Sequence, residues 1–162
     1  ENREDEINEV VFETLENLPG VKILAPDQKK RMSIFSFYFE KYHFNLVVKL
    51  LNDRFGMQTR GGCSCAGTYG HFLLNVDQET SNRIKGQILE GCSTQKPGWI
   101  RMSLHPTISN QEVEFICNSL QELAVHIEEW SKDYRYDIEK NDFVHISVPP
   151  VETDLVADWF SL

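Results

Sequence analysis

Apolar residues recur every three or four positions in three parts of the chain, and each stripe predicts a helix. The first helix is predicted over residues 4–17, with this stripe: Ile7, Val10, Val11, Thr14 and Leu15. The second is predicted over residues 44–55, and Gly56 should end it. The third helix has the strongest pattern and begins at Ser109, which is predicted to form a capping box with Glu112. Its apolar stripe consists of Val113, Ile116, Leu120, Leu123, Ile127 and Trp130.

Alternation with a period of two predicts strands between these helices. The clearest strand spans residues 31–40, with Phe35, Phe37 and Phe39 on one face and with Ile34 and Tyr38 on the other. A strand that is apolar on both faces is usually central or covered. Shorter strands are predicted at residues 21–24, 57–60 and 99–104. In the last of these, Arg101 and Ser103 point away from the apolar face.

Other parts of the chain are less regular. We predict a short helical or irregular segment over residues 69–75 and a helix over 77–89, whereas residues 133–142 show no period. Residues 144–148 could form an edge strand before Pro149. We therefore expect one domain over residues 1–131 and an extra, partly irregular segment over 132–162. The order of elements predicts an α+β fold, a small and mainly antiparallel sheet with helices packed on one face.

Composition and charge place the chain among ordinary globular proteins. It has 162 residues, of which 41% are hydrophobic and 25% charged, with a net charge of −9. This acidity argues against binding nucleic acid or an anionic membrane, because both need a basic surface. The polar start lacks a secretory pattern and an initiator Met, so we expect an internal boundary of a longer protein, cytoplasmic and with reduced thiols.

The richest chemistry lies in the run Arg60–Gly67 (RGGCSCAG), where small residues surround Cys63 and Cys65. A thiol on a glycine-rich loop could act as a nucleophile, with Arg60 or His71 favouring its thiolate form. The alternative is that both cysteines are small buried residues in a tight turn.

Arg101 is the second candidate, because an interior-facing arginine at a strand end suits bidentate binding of a carboxylate through its planar guanidinium. The alternative is an ordinary arginine on the solvent face of an edge strand. Zinc is a competing use of Cys63, Cys65, Cys92 and His71, but a single C-x-C pair is not typical of zinc sites. We therefore expect no metal.

Together these segments resemble a known family. Residues 55–67 resemble the R-x-G-x-x-C-A loop of cysteine desulfurases, which are relatives of the class V aminotransferases and selenocysteine lyases. Residues 99–104 (WIRMSL) resemble the R-x-S strand of these enzymes, and residues 109–130 resemble the long helix that follows it. Residues 18–39 resemble the start of the same C-terminal small domain of fold-type I enzymes. The resemblance covers roughly residues 1–130.

The resemblance implies a cofactor and a set of site residues. Pyridoxal phosphate would be bound mainly by a large domain that this chain lacks, so the chain alone should be inactive. Cys65 would take sulfur or selenium from cysteine and hold it as a persulfide, leaving alanine. Arg101 would bind the substrate carboxylate with Arg60, and the loop would be framed by Gly61, Gly62, Cys63 and Gly67. The full-length enzyme would be a homodimer that passes sulfur to an acceptor protein.

Other functions stay open at this point. The segment between Cys65 and Arg101 is long, and shorter spacing is common among the desulfurases, so transamination or racemisation of another amino acid is an alternative. Arg101 would serve either reaction, since both bind an α-carboxylate. A non-enzymatic thiol or zinc module is an alternative of a different class, as is an interaction domain that uses the acidic tail.

Overall fold

The computed structural model describes residues 2–62 and 97–147, with single positions between them (70, 72–74, 77, 79, 81, 82 and 86). The two long ranges hold the following elements in chain order: α1 (Asn2–Asn17), β1 (Val21–Ile23), β2 (Ile34–Phe39), α2 (Phe44–Phe55), β3 (Arg60–Gly62), β4 (Trp99–Ser103), α3 (Asn110–Trp130), a 3₁₀ turn (Ser131–Asp133), β5 (Tyr134–Asp137) and β6 (Asp142–His145). The predicted α+β class is confirmed.

Within the described ranges the main sheet contains four antiparallel strands in the order β1-β2-β4-β3. Phe35, Phe37 and Phe39 of β2 are buried on the face that carries the helices. Ser36 and Tyr38 alternate with them and therefore lie on the opposite face, which we call the open face because both are partly exposed there. Trp99 of β4 lies on the same face and is buried. β2 is an internal strand, as its apolar pattern on both faces predicts.

The helices bury their apolar stripes against one face of this sheet. The core includes Val47, Leu50 and Leu51 from α2 and Leu120 and Leu123 from α3, all fully buried. In α1 the predicted stripe is partly wrong. Val10 is 46% exposed, and Phe12 is buried in its place, with its ring edge-on to Phe35 at 5.6 Å. The buried face of α1 is therefore rotated relative to the predicted stripe, so that the large ring of Phe12 packs on the sheet.

Both long helices after β2 begin and end with local signals from the sequence. The imidazole of His43 caps α2 by accepting a hydrogen bond from the backbone N–H of Asn45. Gly56 ends this helix in a left-handed conformation, with φ of 67°. The predicted capping box of α3 is confirmed, because Ser109 and Glu112 bond each other's backbone N–H groups.

Residues 133–142 are not irregular, contrary to the prediction. β5 and β6 form a two-stranded hairpin, and β6 begins at Asp142 rather than at residue 144. The hydroxyl of Tyr134 donates to Asp53 at 3.0 Å, and the side-chain amide of Asn45 donates to the Asn141 carbonyl at 2.7 Å. The period is hidden in the sequence because the strands are only four residues long and pack on α2.

Several predictions fall on residues that lie outside the described ranges. They include most of the helices predicted over residues 69–75 and 77–89, and the tail beyond residue 147. Among the helices that the structure describes, none has the length and apolar character needed to cross a membrane.

Candidate functional site

The two predicted arginines lie directly opposite each other in the sheet. β3 pairs antiparallel with β4, so that Arg60 is the partner of Arg101 and Gly62 is the partner of Trp99. β3 begins at Arg60 rather than at the predicted residue 57, because the N–H of Met57 still bonds the Leu51 carbonyl in the turn that ends α2. This turn delays the strand until Arg60.

Both arginine side chains lie on the open face. Arg101 is exposed between the buried neighbours Ile100 and Met102, and Ser36 of β2 is its partner on the other side. The polar face predicted for Arg101 is confirmed. β4 is an internal strand, so the edge-strand part of the alternative is wrong, but Arg101 is exposed, as that alternative expected, and does not face the interior. Arg101 thus has a cation on one flank and a hydroxyl on the other.

This face carries positive charge that the described residues do not neutralise. Neither Arg60 nor Arg101 forms a hydrogen bond or ion pair with another side chain in the described part of the chain. Arg3 and Arg54, by contrast, pair with carboxylates at 3.0 and 3.2 Å. Like charges directly opposite across two strands destabilise a sheet. The pair is therefore an arrangement suited to an anion that lies between or over the two guanidinium groups.

Glycines at both strand ends let α2 approach the sheet closely. A Cβ atom at Gly61 would lie 2.8 Å from Cδ2 of Phe44, and one at Gly98 would lie 2.5 Å from Cε1 of the same ring. Gly62 has a φ of 116°, which a residue with a side chain rarely adopts. The resemblance gives Gly61 and Gly62 a framing role in the loop. In the structure the Phe44 ring leaves no room for a side chain at Gly61, and the positive φ of Gly62 disfavours one there. Gly98 meets the same ring as Gly61.

The remaining predicted site residues are not described by the structure. Cys63, Cys65 and Gly67 lie outside the described ranges, as do Cys92 and His71. Within the residues that are described, no three His, Cys, Asp or Glu side chains come together as a metal site.

Cys117 is the cysteine that the structure does describe, and it lies in α3 against the core, as predicted. Burial raises the pKa of this thiol, which disfavours the reactive thiolate. Cys117 is therefore a packing residue and a useful internal reference for thiol chemistry.

Sequence reasoning identified Arg60 and Arg101 separately but missed that they face each other. It also missed Ser36 and the contact between Phe44 and Gly98. Gly61 and Gly62 before the cysteine-containing segment and Gly98 after it were the signal that could have revealed the contact with Phe44. A glycine in or beside a strand often marks a site where another element approaches closely.

Comparison with known proteins identifies the family. The family model described as Aminotransferase class-V matches residues 1–116. The search of curated proteins found no match. The matched range includes both arginines, β1 to β4 and the first part of α3. Since this match spans well over half of the sequence, the chain belongs to the class-V aminotransferase family.

Proposed function

We propose that this chain is the small domain of a pyridoxal-phosphate enzyme that binds the carboxylate of an amino-acid substrate and removes sulfur from cysteine. The observation that carries the proposal is the Arg60–Arg101 pair on the open face. Two arginines at partnered positions of adjacent strands offer up to ten N–H donors by the ordinary donor count of arginine. An α-carboxylate is the group common to all amino-acid substrates.

The energetic argument is that the pair costs stability until an anion binds. Opposite strand positions hold Cβ atoms about 5 Å apart, so the two charges repel each other across the open face. A carboxylate relieves this repulsion and gains charge-assisted hydrogen bonds from both sides. Ser36 lies beside Arg101 and supplies a further hydroxyl donor on that face.

The family match supports the cofactor, since enzymes of this family generally depend on pyridoxal phosphate. When bound, this cofactor supplies an electron sink for the carbon atoms of the substrate. A lysine that attaches it must lose its proton, which burial promotes. The described lysines are exposed or half-buried, and Lys22, Lys29, Lys49 and Lys140 lie within 4.0 Å of acidic side chains. The described residues therefore suit the anionic substrate, and we assign cofactor attachment to another domain.

Sulfur removal is assigned to Cys65, which follows the end of β3 by three residues. The Cys65 thiolate would attack the sulfur of the substrate and form an S–S bond. The C–S bond breaks, its electron pair stays on carbon, and that carbon takes up a proton to give alanine. The persulfide sulfur then passes to an acceptor protein.

The proposal is tested by measuring the kinetics of the full-length enzyme. Arg101→Gln should raise KM for cysteine by about 10- to 100-fold, the loss expected for a charged hydrogen-bonding group. Lys30→Gln is the matched control, because it also removes one positive charge and Lys30 is exposed beside α1, in the segment between β1 and β2. An unchanged KM in Arg101→Gln would refute the assignment of the carboxylate site.

The sulfur step needs a second pair of variants. In an assay that contains a thiol reductant, which cleaves the persulfide S–S bond and liberates sulfide, Cys65→Ser should abolish sulfide release and spare cofactor binding, whereas Cys117→Ser should leave both unchanged. If Cys65→Ser retains sulfide release, Cys65 is not the nucleophile. If the wild-type enzyme instead converts an amino acid to its keto acid without releasing sulfide, the reaction is a transamination, the alternative that the long segment between Cys65 and Arg101 favours.

A further inference from the structure

We infer that the N-terminus of α2 is a positioning device for the arginine pair, and that the β5–β6 hairpin holds this device in place. The inference rests on the proposed function only where it concerns substrate binding. The residues concerned are His43, Phe44 and Asn45, which we call the α2 anchor. None of them was a candidate in the sequence.

Phe44 fills the space between the two strands of the site and the helix. Opposite edges of its ring lie against Gly61 and Gly98, so that one ring contacts both chain segments that enter the β3–β4 pair. β3 has only three residues, and among the strands that the structure describes β4 is the one that pairs with it. A strand this short frays unless another element supports it. Phe44 gives that support directly beneath Arg60.

Asn45 links the strand to the hairpin. Its Oδ1 atom lies 3.2 Å from the position that a Cβ atom at Gly61 would take, and its Nδ2 atom donates to the Asn141 carbonyl at 2.7 Å. Asn141 is held in the hairpin turn, because its N–H donates to the Ile138 carbonyl at 3.4 Å and its side-chain oxygen accepts from the Tyr136 hydroxyl. A displacement of the turn would therefore be transmitted through one side chain to the backbone of β3.

His43 provides a second link, made by ring contacts. Its imidazole stacks on Phe44, with centroids 4.3 Å apart, and lies 5.9 and 5.7 Å from the rings of Tyr136 and Phe143 in the hairpin. Burial lowers the pKa of His43, and Asp142 opposes this shift more weakly. A neutral imidazole stacks without the desolvation penalty that a charged ring would carry.

The hairpin lies outside the range that the family model matches, which ends at residue 116. The β5–β6 hairpin, which supports the site through α2, is thus not part of the segment that the family model matches. It contacts α2 and acts through the α2 anchor. The anchor residues are positioning residues, and their removal should loosen Arg60 relative to Arg101.

The test compares hairpin contacts at the start of α2 with a hairpin contact near its end. Asn45→Ala and Phe143→Ala remove contacts at the start of the helix. Tyr134→Phe removes the bond to Asp53 near its end and serves as the control. Hydrogen exchange of the isolated chain should become faster by about tenfold or more at residues 60–62 and 99–101 in the first two variants. It should stay unchanged there in Tyr134→Phe.

Kinetics of the full-length enzyme give the functional readout. Asn45→Ala and Phe143→Ala should raise KM for the amino-acid substrate by about threefold or more, since small misplacements of binding groups are costly, and kcat should change little. Phe143→Tyr keeps the ring and should restore the wild-type KM. Unchanged exchange at residues 60–62 in both variants would overturn the inference. An unchanged KM in Arg101→Gln would instead refute the proposed function and leave the exchange result intact.

Discussion

Replacing Gly98 with Ala should destabilise the protein, although alanine normally stabilises a position that glycine occupies. Gly98 lies just before β4 and does not have a positive φ, so its backbone would accept a side chain. The added Cβ atom would lie 2.5, 2.6 and 3.0 Å from three carbon atoms of the Phe44 ring. Carbon atoms pack best at about 3.5–4.0 Å, so the ring would have to move by about 1 Å.

The ring has little room for that movement. Its other edge already lies against Gly61, its side chain is only 7% exposed, and His43 stacks on it. Overpacking of this kind costs about 1–3 kcal/mol. The Gly→Ala change also reduces the conformational entropy of the unfolded chain, which stabilises the folded state by about 0.4–1 kcal/mol. The free energy of unfolding should therefore fall by roughly 1–2 kcal/mol.

Equilibrium unfolding in denaturant measures this change. Gly86→Ala is the matched control, because Gly86 is helical and a Cβ atom there would meet nothing within 4 Å. It should be neutral or stabilising by up to about 1 kcal/mol. In a Phe44→Leu background the smaller side chain leaves space, and Gly98→Ala should then cost less than about 0.5 kcal/mol.

Two results would refute this reasoning. If Gly98→Ala does not lower the stability of the wild-type chain, the ring does not occupy the space assigned to it. If the substitution costs as much with Leu at position 44 as with Phe, the penalty has a source other than the Phe44 ring. Either result would also weaken the role of Phe44 in the α2 anchor.

Three further predictions concern the helices and the hairpin. Ser109→Ala removes the capping box of α3 and should lower the free energy of unfolding by about 1 kcal/mol, with Ser131→Ala beyond its other end as the comparison. Leu120→Ala should cost about 2–5 kcal/mol because Leu120 is fully buried, and a loss below 1 kcal/mol in thermal or denaturant unfolding would contradict its place in the core. Burial and the bond to Asp53 raise the pKa of Tyr134 from 10.0 to about 12. The neutral phenol is favoured in the folded state, so its contribution is complete below pH 10 and is lost as the pH rises through about 12. Stability measured across this range should fall less steeply in Tyr134→Phe, and an identical slope would contradict the assignment.

The sequence alone determined those features that depend on neighbours a few positions apart. The bounds of α2, the capping box of α3 and the outward face of Arg101 follow from periods of 3.6 and 2 and from local caps. The α+β class followed from the order of these elements. Even there, Phe12 replaced Val10 in the core, because the fit of a large ring against Phe35 is a tertiary property.

Only the tertiary structure decided which residues face each other. Arg60 and Arg101 belong to strands separated by a long segment, and their pairing depends on how closely α2 can approach Gly61 and Gly98. The β5–β6 hairpin was missed for a similar reason, since its short strands are stabilised by contacts with α2 rather than by a period of their own. Periodicity depends on residues that are close together in the sequence. Strand pairing joins residues that are distant in the sequence, and side-chain packing in the folded protein determines which strands pair.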